Sequence, residues 1–143
     1  LPFQYAMRLL SAGFDDPIWS KLFNSDISAD KTLAQGRLIL YYQQKQNAKV
    51  SKGIAHPLYF EGVDFLAANV AYINSTFFDD HPEMFKFPVF LAFCLMSNGM
   101  WKVSMYNNIK HPSNIDLGAI AKKYGGGGHA GAAGFNCKEL PWI

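Results

Sequence analysis

Six of the twelve glycines fall between Gly125 and Gly134, in a run that reads Lys122-Lys123-Tyr124-Gly125-Gly126-Gly127-Gly128-His129-Ala130-Gly131-Ala132-Ala133-Gly134-Phe135. Consecutive glycines let the backbone curl until several N–H groups aim at one point, which makes a cradle for a phosphate oxygen. His129 adds a donor that can carry charge near neutral pH. A helix starting at or just after His129 would bring its positive N-terminal end to the same place. The small residues from Ala130 to Ala133 would let that helix lie close on a sheet. Four glycines alone also fit a flexible linker after a helix. Substitution at Gly127 separates the two, because a cradle needs positive φ and close backbone approach there and a linker does not.

Charge favours a small ligand. Residues 1–80 hold seven Lys/Arg against eight Asp/Glu, whereas residues 81–143 hold six against three, with three of the four histidines. The resulting excess of three positive charges suits a small anion and falls far short of the basic stripe that holds long duplexes. A chain of 143 residues, half of them hydrophobic and with a net charge of +2, is one ordinary domain in size and excludes disorder. The most apolar run, Phe87 to Met96, is well short of the roughly 18–20 residues of a spanning helix, so no membrane segment is expected. Cys94 and Cys137 make neither a disulfide framework nor a zinc site, and both are expected as reduced core thiols of a cytoplasmic protein. No secretory signal is recognised, and a start at Leu1 suggests a piece of something longer.

The elements that must position the glycine run divide the chain in two. Residues 1–54 read as a helical linker. Phe3, Met7 and Leu10 are spaced for one helix face, which Gly13 stops. Asp15 or Asp16 caps a short segment with Pro17 in its first turn and Trp19, Leu22 and Phe23 on its apolar side. Ser28 caps a long helix to about Lys49, with Leu33, Arg37, Leu40 and Tyr41 along a partly apolar face.

From residue 55 to 143 the pattern predicts α/β structure, a mixed sheet of about five strands with helices packed on it. His56–Phe60 reads as an edge strand, Glu61-Gly62 as a turn and Val63–Val70 as a second strand. Asn74-Ser75 opens a short helix or irregular stretch to Phe85. Pro88–Met96 is apolar throughout, as a central strand would be. Asn98-Gly99 predicts a type I′ hairpin leading to a strand over Trp101–Tyr106. Ser113 or Asn114 caps a helix to about Tyr124, which Gly125 ends. Phe135–Cys137 is the last strand.

The string Gly126-Gly127-Gly128-His129-Ala130-Gly131-Ala132-Ala133-Gly134-Phe135 resembles the signature of the DHH-associated domain of DHH-family phosphoesterases. Ile115–Tyr124 is similar to the helix before that signature, and Trp101–Tyr106 stands in the place of the family's Val-Ser-Leu-Arg strand. The likeness covers roughly residues 60–137. It implies a two-domain enzyme whose N-terminal DHH domain, on the same polypeptide, holds two divalent ions (Mn²⁺, or Mg²⁺) and hydrolyses the phosphoester. Residues 55–143 would be the associated domain, closing over a short oligonucleotide or nucleotide phosphate and gripping it through Gly126, Gly127, Gly128 and His129. The Asp-rich metal motifs are absent here, so this stretch is expected to bind no metal and to catalyse nothing alone.

Other contacts follow from the same placement. Tyr106 departs from the family pattern, in which many members have an arginine there. A tyrosine supplies no fixed charge, but it can stack on a base or donate its hydroxyl, or simply end the strand as an exposed aromatic. Ser104 and Asn107 flank it and could bond ribose or phosphate. Lys122 and Lys123 are favoured at a helix C-terminus by the dipole, and Lys123 is also a candidate ligand contact. Asp79-Asp80-His81 mimics the Asp-His-His that names the family, yet it precedes Pro82 and is read as a turn or cap. His56 and His111 precede prolines and are read as loop residues. The alternative is a tRNA-binding or assembly module like the C-terminal domain of alanyl-tRNA synthetases, which shares the glycines but not the histidine.

Overall fold

The computed structural model describes residues 1–143 except Ser11, Ala12, Phe14, Tyr72 and Ser75. It divides into two compact units, Leu1–Gln46 and Asn47–Ile143, with the boundary inside one helix.

The first unit is helical. Helix α1 spans Pro2–Leu9, α2 spans Ile18–Phe23, and α3 begins at Ala29 and runs to Ile54. Asp16 does cap α2, its Oδ1 accepting from the Ile18 N–H at 2.9 Å. Ser28 caps α3 through Oγ, which accepts from the Lys31 N–H at 3.3 Å. The buried face of α3 is displaced from the expected one: Thr32 and Gly36 are buried, whereas Arg37 and Tyr41 are exposed. Gly36 explains the shift, because a Cβ there would lie 1.8 Å from the Pro2 carbonyl oxygen. Contact between α1 and α3 is backbone-close, which a larger side chain would prevent. Helix α3 also outlasts its expected end at Lys49, since no breaker intervenes before His56-Pro57.

The second unit is a six-stranded mixed sheet in the order β1-β2-β3-β4-β6-β5. The strands are β1 His56–Phe60, β2 Val63–Asn69, β3 Val89–Leu95, β4 Trp101–Asn107, β5 Gly127–His129 and β6 Ala132–Cys137. Only β2 and β3 run parallel; the other neighbours are antiparallel. The sixth strand comes from the glycine run itself. The helix expected after His129 is absent, and the chain instead turns at Ala130-Gly131 into β6.

Two turns exchange their expected chemistry. Glu61 and Gly62 both have positive φ, 53° and 78°, as a type I′ hairpin requires between Phe60 and Val63. At Asn98-Gly99 only Gly99 is left-handed, with φ 77°, and Met96 N–H bonds Met100 O at 2.8 Å. That is a three-residue loop with the glycine in the bulge position. Helix α4, Leu117–Lys123, starts later than expected. Its cap is Asp116, whose side chain accepts from the Ala119 N–H at 3.0 Å, rather than Ser113 or Asn114.

Residues alternate along each strand, so each sheet face has its own core. One face carries Phe65, Ala67, Leu91, Val103, Met105 and Phe135, packed under Leu117, Ile120 and Ala121 of α4 and under Leu140. The opposite face carries Leu66, Ala68 and Phe90, covered by Phe77, Phe78, Met84 and Phe87 of the β2–β3 crossover. That crossover holds a 3₁₀ turn at Met84–Lys86, and its other described residues are irregular; of the expected Asn74-Ser75 opening, Ser75 lies outside the described residues. Apart from Tyr106, which is half-buried against this cluster, the β4-β6-β5 half of the second face has no such cover. None of the described helices is long and apolar enough to cross a membrane.

Candidate functional site

The uncovered half-face is organised as three cross-strand rows. Tyr106 pairs with Ala132, which pairs with His129; Ser104 pairs with Gly134, which pairs with Gly127; and Lys102 pairs with Asn136. Paired residues share a face, so Tyr106, His129, Ser104, Gly127 and Lys102 all belong to this one surface. Glycines at 127 and 134 leave the middle row nearly bare backbone. Over it lies an open cavity of about 530 Å³, lined by Lys102, Ser104, Tyr106, the Gly125–Gly128 backbone, Ala132 and Asn136 among others. His129 is exposed at the margin of this surface, outside the residues lining the cavity.

The glycines have different jobs. Gly125, φ 74°, ends α4 in a Schellman arrangement: its N–H bonds Lys122 O at 3.1 Å, and the Gly126 N–H bonds Ala121 O at 3.0 Å. A Cβ at Gly126 would meet Gly134 O at 2.1 Å, and one at Gly128, φ 139°, would meet Ala132 O at 2.5 Å. Packing of β5 on β6 therefore demands both. Gly127 is different, because a Cβ there has nothing within 4 Å and its φ is not left-handed. The positive φ expected at Gly127 is found instead at Gly125 and Gly128. Nothing in the fold requires a glycine at 127.

Asn107 alternates to the α4 side, opposite Val89, and is not part of the open surface. Its N–H bonds Gly131 O at 2.9 Å and its Nδ2 bonds Ala130 O at 3.3 Å, pinning the β5–β6 turn. The Leu117 N–H bonds Ala130 O as well, at 3.2 Å. Asn107 thus positions the strand that carries His129. Lys123 is paired with Glu61 in the β1–β2 turn and does not line the cavity. Glu61 is held below the usual carboxylate range by hydrogen bonds from Lys123 and then Tyr124. The same contact pushes the Tyr124 hydroxyl up to about 12.

Asp79-Asp80-His81 lies in the crossover. His81 is buried, and its Nδ1 accepts from the Glu83 N–H at 3.2 Å, so the imidazole closes a local turn. Burial lowers the His81 pKa and raises that of Asp79. Among the described residues no three His, Cys, Asp or Glu side chains gather where they could hold a metal ion. His56 begins β1, in line with the edge-strand reading of His56–Phe60 and against the loop reading drawn from the proline that follows it.

Sequence reasoning missed Lys102. It is exposed, and among the described residues it has no ion pair or hydrogen-bond partner. The signal was available, since a period of two from Tyr106 and Ser104 along one strand reaches residue 102. On the other side of β4, a recess of about 70 Å³ lined by Ala92, Cys94 and Met96 shares Lys102, Ser104 and Tyr106 with the glycine side. Cys94 is therefore half-buried beside a cavity rather than in the core, and Cys137 is also half-buried.

These features define an α/β unit with one face of a mixed sheet left open over a glycine floor. No protein-family model matches the chain, and no curated protein matches it. Among solved structures it is similar to a pGpG-specific phosphodiesterase, PggH from Vibrio cholerae, with a TM-score of 0.60 and 15% sequence identity over 93% of this chain. That match covers 50% of the phosphodiesterase, so the chain spans about half of that protein's length. An uncharacterized protein from Helicobacter pylori G27 matches 84% of this chain and 31% of its own, with 15% identity and a TM-score of 0.43. At such identity the likeness to PggH is one of fold.

Proposed function

We propose that residues 55–143 form the substrate-binding part of a phosphoesterase of the DHH type, taking a nucleotide or short single-stranded nucleic acid by its phosphate. The observation that carries this reading is the shared open face: Ser104 and Tyr106 of β4 and Gly127 and His129 of β5 meet on one surface across β6. His129 and the Ser104 hydroxyl donate to phosphate oxygens, Tyr106 stacks on a base or donates its hydroxyl, and Gly127 keeps the floor low. The fold shared with a phosphodiesterase supports the same direction.

Hydrolysis in this reading is the work of an N-terminal domain of the same polypeptide that binds Mn²⁺ or Mg²⁺. In this reading the share of this chain is alignment. Holding a phosphate against a fixed surface removes orientational freedom before the chemical step.

Backbone amide shifts followed during titration with pGpG and with a nucleoside monophosphate test the assignment. Shifts at Gly126–His129, Ser104 and Tyr106 are expected, and His129→Ala should weaken binding by about 1.5–3 kcal/mol. Movement confined to another surface would overturn it.

A further inference from the structure

We propose that the β3–β4 hairpin carries a site for a soft monovalent metal ion, Cu(I), held by the sulfurs of Cys94, Met96 and Met100. The site is separate from the glycine floor, and the inference does not depend on the nucleotide-binding reading above.

The argument begins with placement. Cys94 lies in β3 and Met96 just beyond its end, two residues apart and so on one sheet face. Cys94 Sγ is 3.7 Å from Met96 Sδ. The register pairs Cys94 with Lys102 and Leu95 with Trp101, and the Met96 N–H then bonds Met100 O at 2.8 Å. Met100 therefore stands opposite Met96 on the same face, with their Cβ atoms about 4.5–5.5 Å apart. Its flexible side chain spans that gap with a change of rotamer. All three residues are half-buried. Cys94 and Met96 line the recess of about 70 Å³ beside Val70, Ala71 and Ile73, which has room for an ion and little else.

Distance and donor type supply the second part. Two sulfurs 3.7 Å apart, each bound to one ion at about 2.3 Å, subtend about 107° at that ion. That is close to the tetrahedral angle and leaves room for a third donor, which Met100 supplies. One thiolate with two thioethers is a soft set that suits Cu(I), whereas Zn²⁺ draws on thiolate, imidazole and carboxylate. Charge agrees. Cu(I) on the Cys94 thiolate is neutral and tolerates the Lys102 ammonium across the hairpin, while a divalent ion would leave a positive charge facing it. Coordination releases the Cys94 thiol proton to solvent and changes no oxidation state. The other thiol, Cys137, packs against the core on the opposite sheet face and takes no part.

The test is anaerobic competition for Cu(I) against the coloured bicinchoninate complex, with wild type, Cys94→Ser, Met96→Leu, Met100→Leu and Cys137→Ser. Wild type should withdraw one Cu(I) per chain, and Zn²⁺ in about tenfold excess should not displace it. Cys94→Ser should weaken binding more than about 100-fold, beyond what loss of an outer-shell partner does. Met96→Leu and Met100→Leu nearly conserve volume, so the fold should persist by circular dichroism while Cu(I) affinity drops by about tenfold each. Cys137→Ser should bind as wild type does. Copper X-ray absorption should count three sulfur neighbours in wild type and two in either leucine variant. Absence of Cu(I) uptake, or uptake that survives Cys94→Ser, would overturn the site. So would methionine variants that bind like wild type, since the ion would then sit on a thiol alone, and displacement by Zn²⁺ would refute the choice of metal.

Discussion

The Tyr124 hydroxyl donates a 2.5 Å hydrogen bond to Glu61 Oε1, tying the end of α4 to the β1–β2 turn across a sequence separation of 63. Beside it, the Tyr124 ring stacks on Phe135 with centroids 4.7 Å apart. The turn, the helix and β6 are therefore fastened at the point where the glycine run begins.

That contact has a signature in alkali. The Tyr124 pKa is raised from 10.0 to about 12 because ionising the phenol would break its bond to the Glu61 carboxylate and place two negative charges together. A raised folded value means stabilisation fully present below pH 10 and lost as pH climbs toward 12. Tyr124 should ionise late in an absorbance titration. Glu61→Gln should bring that late group back toward its ordinary value, and a late tyrosine persisting in the variant would assign the shift to something else.

Asn108 clamps the crossover to the sheet. Its buried Nδ2 donates to Met84 O and to Phe87 O, both at 2.9 Å. Asn108→Ala strips two buried carbonyls of their partner and should cost roughly 2–4 kcal/mol in urea unfolding. Ile109→Ala, next door but 84% exposed, serves as the control. Its effect should stay within about 0.5 kcal/mol. Equal losses would mean the amide is not the clamp.

His81 sets an acid limit. Burial lowers its pKa below the ordinary 6.5, so the folded chain holds it neutral while the unfolded chain protonates. Stabilisation from this group is present above pH 6.5 and is lost as pH falls through the depressed folded value. Chemical denaturation at a series of pH values from neutral toward 5 should show the decline, and His81→Asn should flatten it. Glu83 favours protonated His81 but is outweighed by burial, so the direction stands.

Much of the sheet was legible in sequence because apolar runs and turn residues mark strands locally. His56–Phe60 has its expected limits, and Val63–Asn69, Val89–Leu95 and Trp101–Asn107 lie within a residue of theirs. What sequence could not yield was the partner of each segment. Glycine and alanine carry no periodicity, so 126–134 fits a loop, a helix start or a strand equally well. Only pairing with β4 decides for the β5–β6 hairpin.

The same limit applied to the site. His129, Tyr106 and Ser104 were singled out by type and meet on one face, whereas Asn107 alternates to the other and Lys123 turns to Glu61. Lys102 was overlooked for the opposite reason. The period of two from Tyr106 and Ser104 reaches it along the strand, but only the register across strands sets it opposite Asn136 and beside the glycines.

Gly127 and Gly128 are neighbours with opposite demands, and together they separate a packing role from a binding role. Gly128→Ala forces a Cβ to within 2.5 Å of Ala132 O at a φ of 139°, and neither backbone can yield without unpairing β5 from β6. Overpacking plus left-handed strain should cost about 2–4 kcal/mol. Gly127→Ala meets open space, and replacing a strand glycine should change stability by only about 0–1 kcal/mol, in the stabilising direction. Gly127→Val should fold equally well, since a β-branched residue suits a strand. Its methyl groups would nonetheless stand on the floor between Ser104 and His129, raising the surface that a phosphate or sugar must approach. Thermal unfolding and pGpG titration of the three variants read the two effects apart. A Gly127→Val protein that folds and binds pGpG as wild type does would remove Gly127 from the site, and one that unfolds like Gly128→Ala would show that the fold needs both glycines.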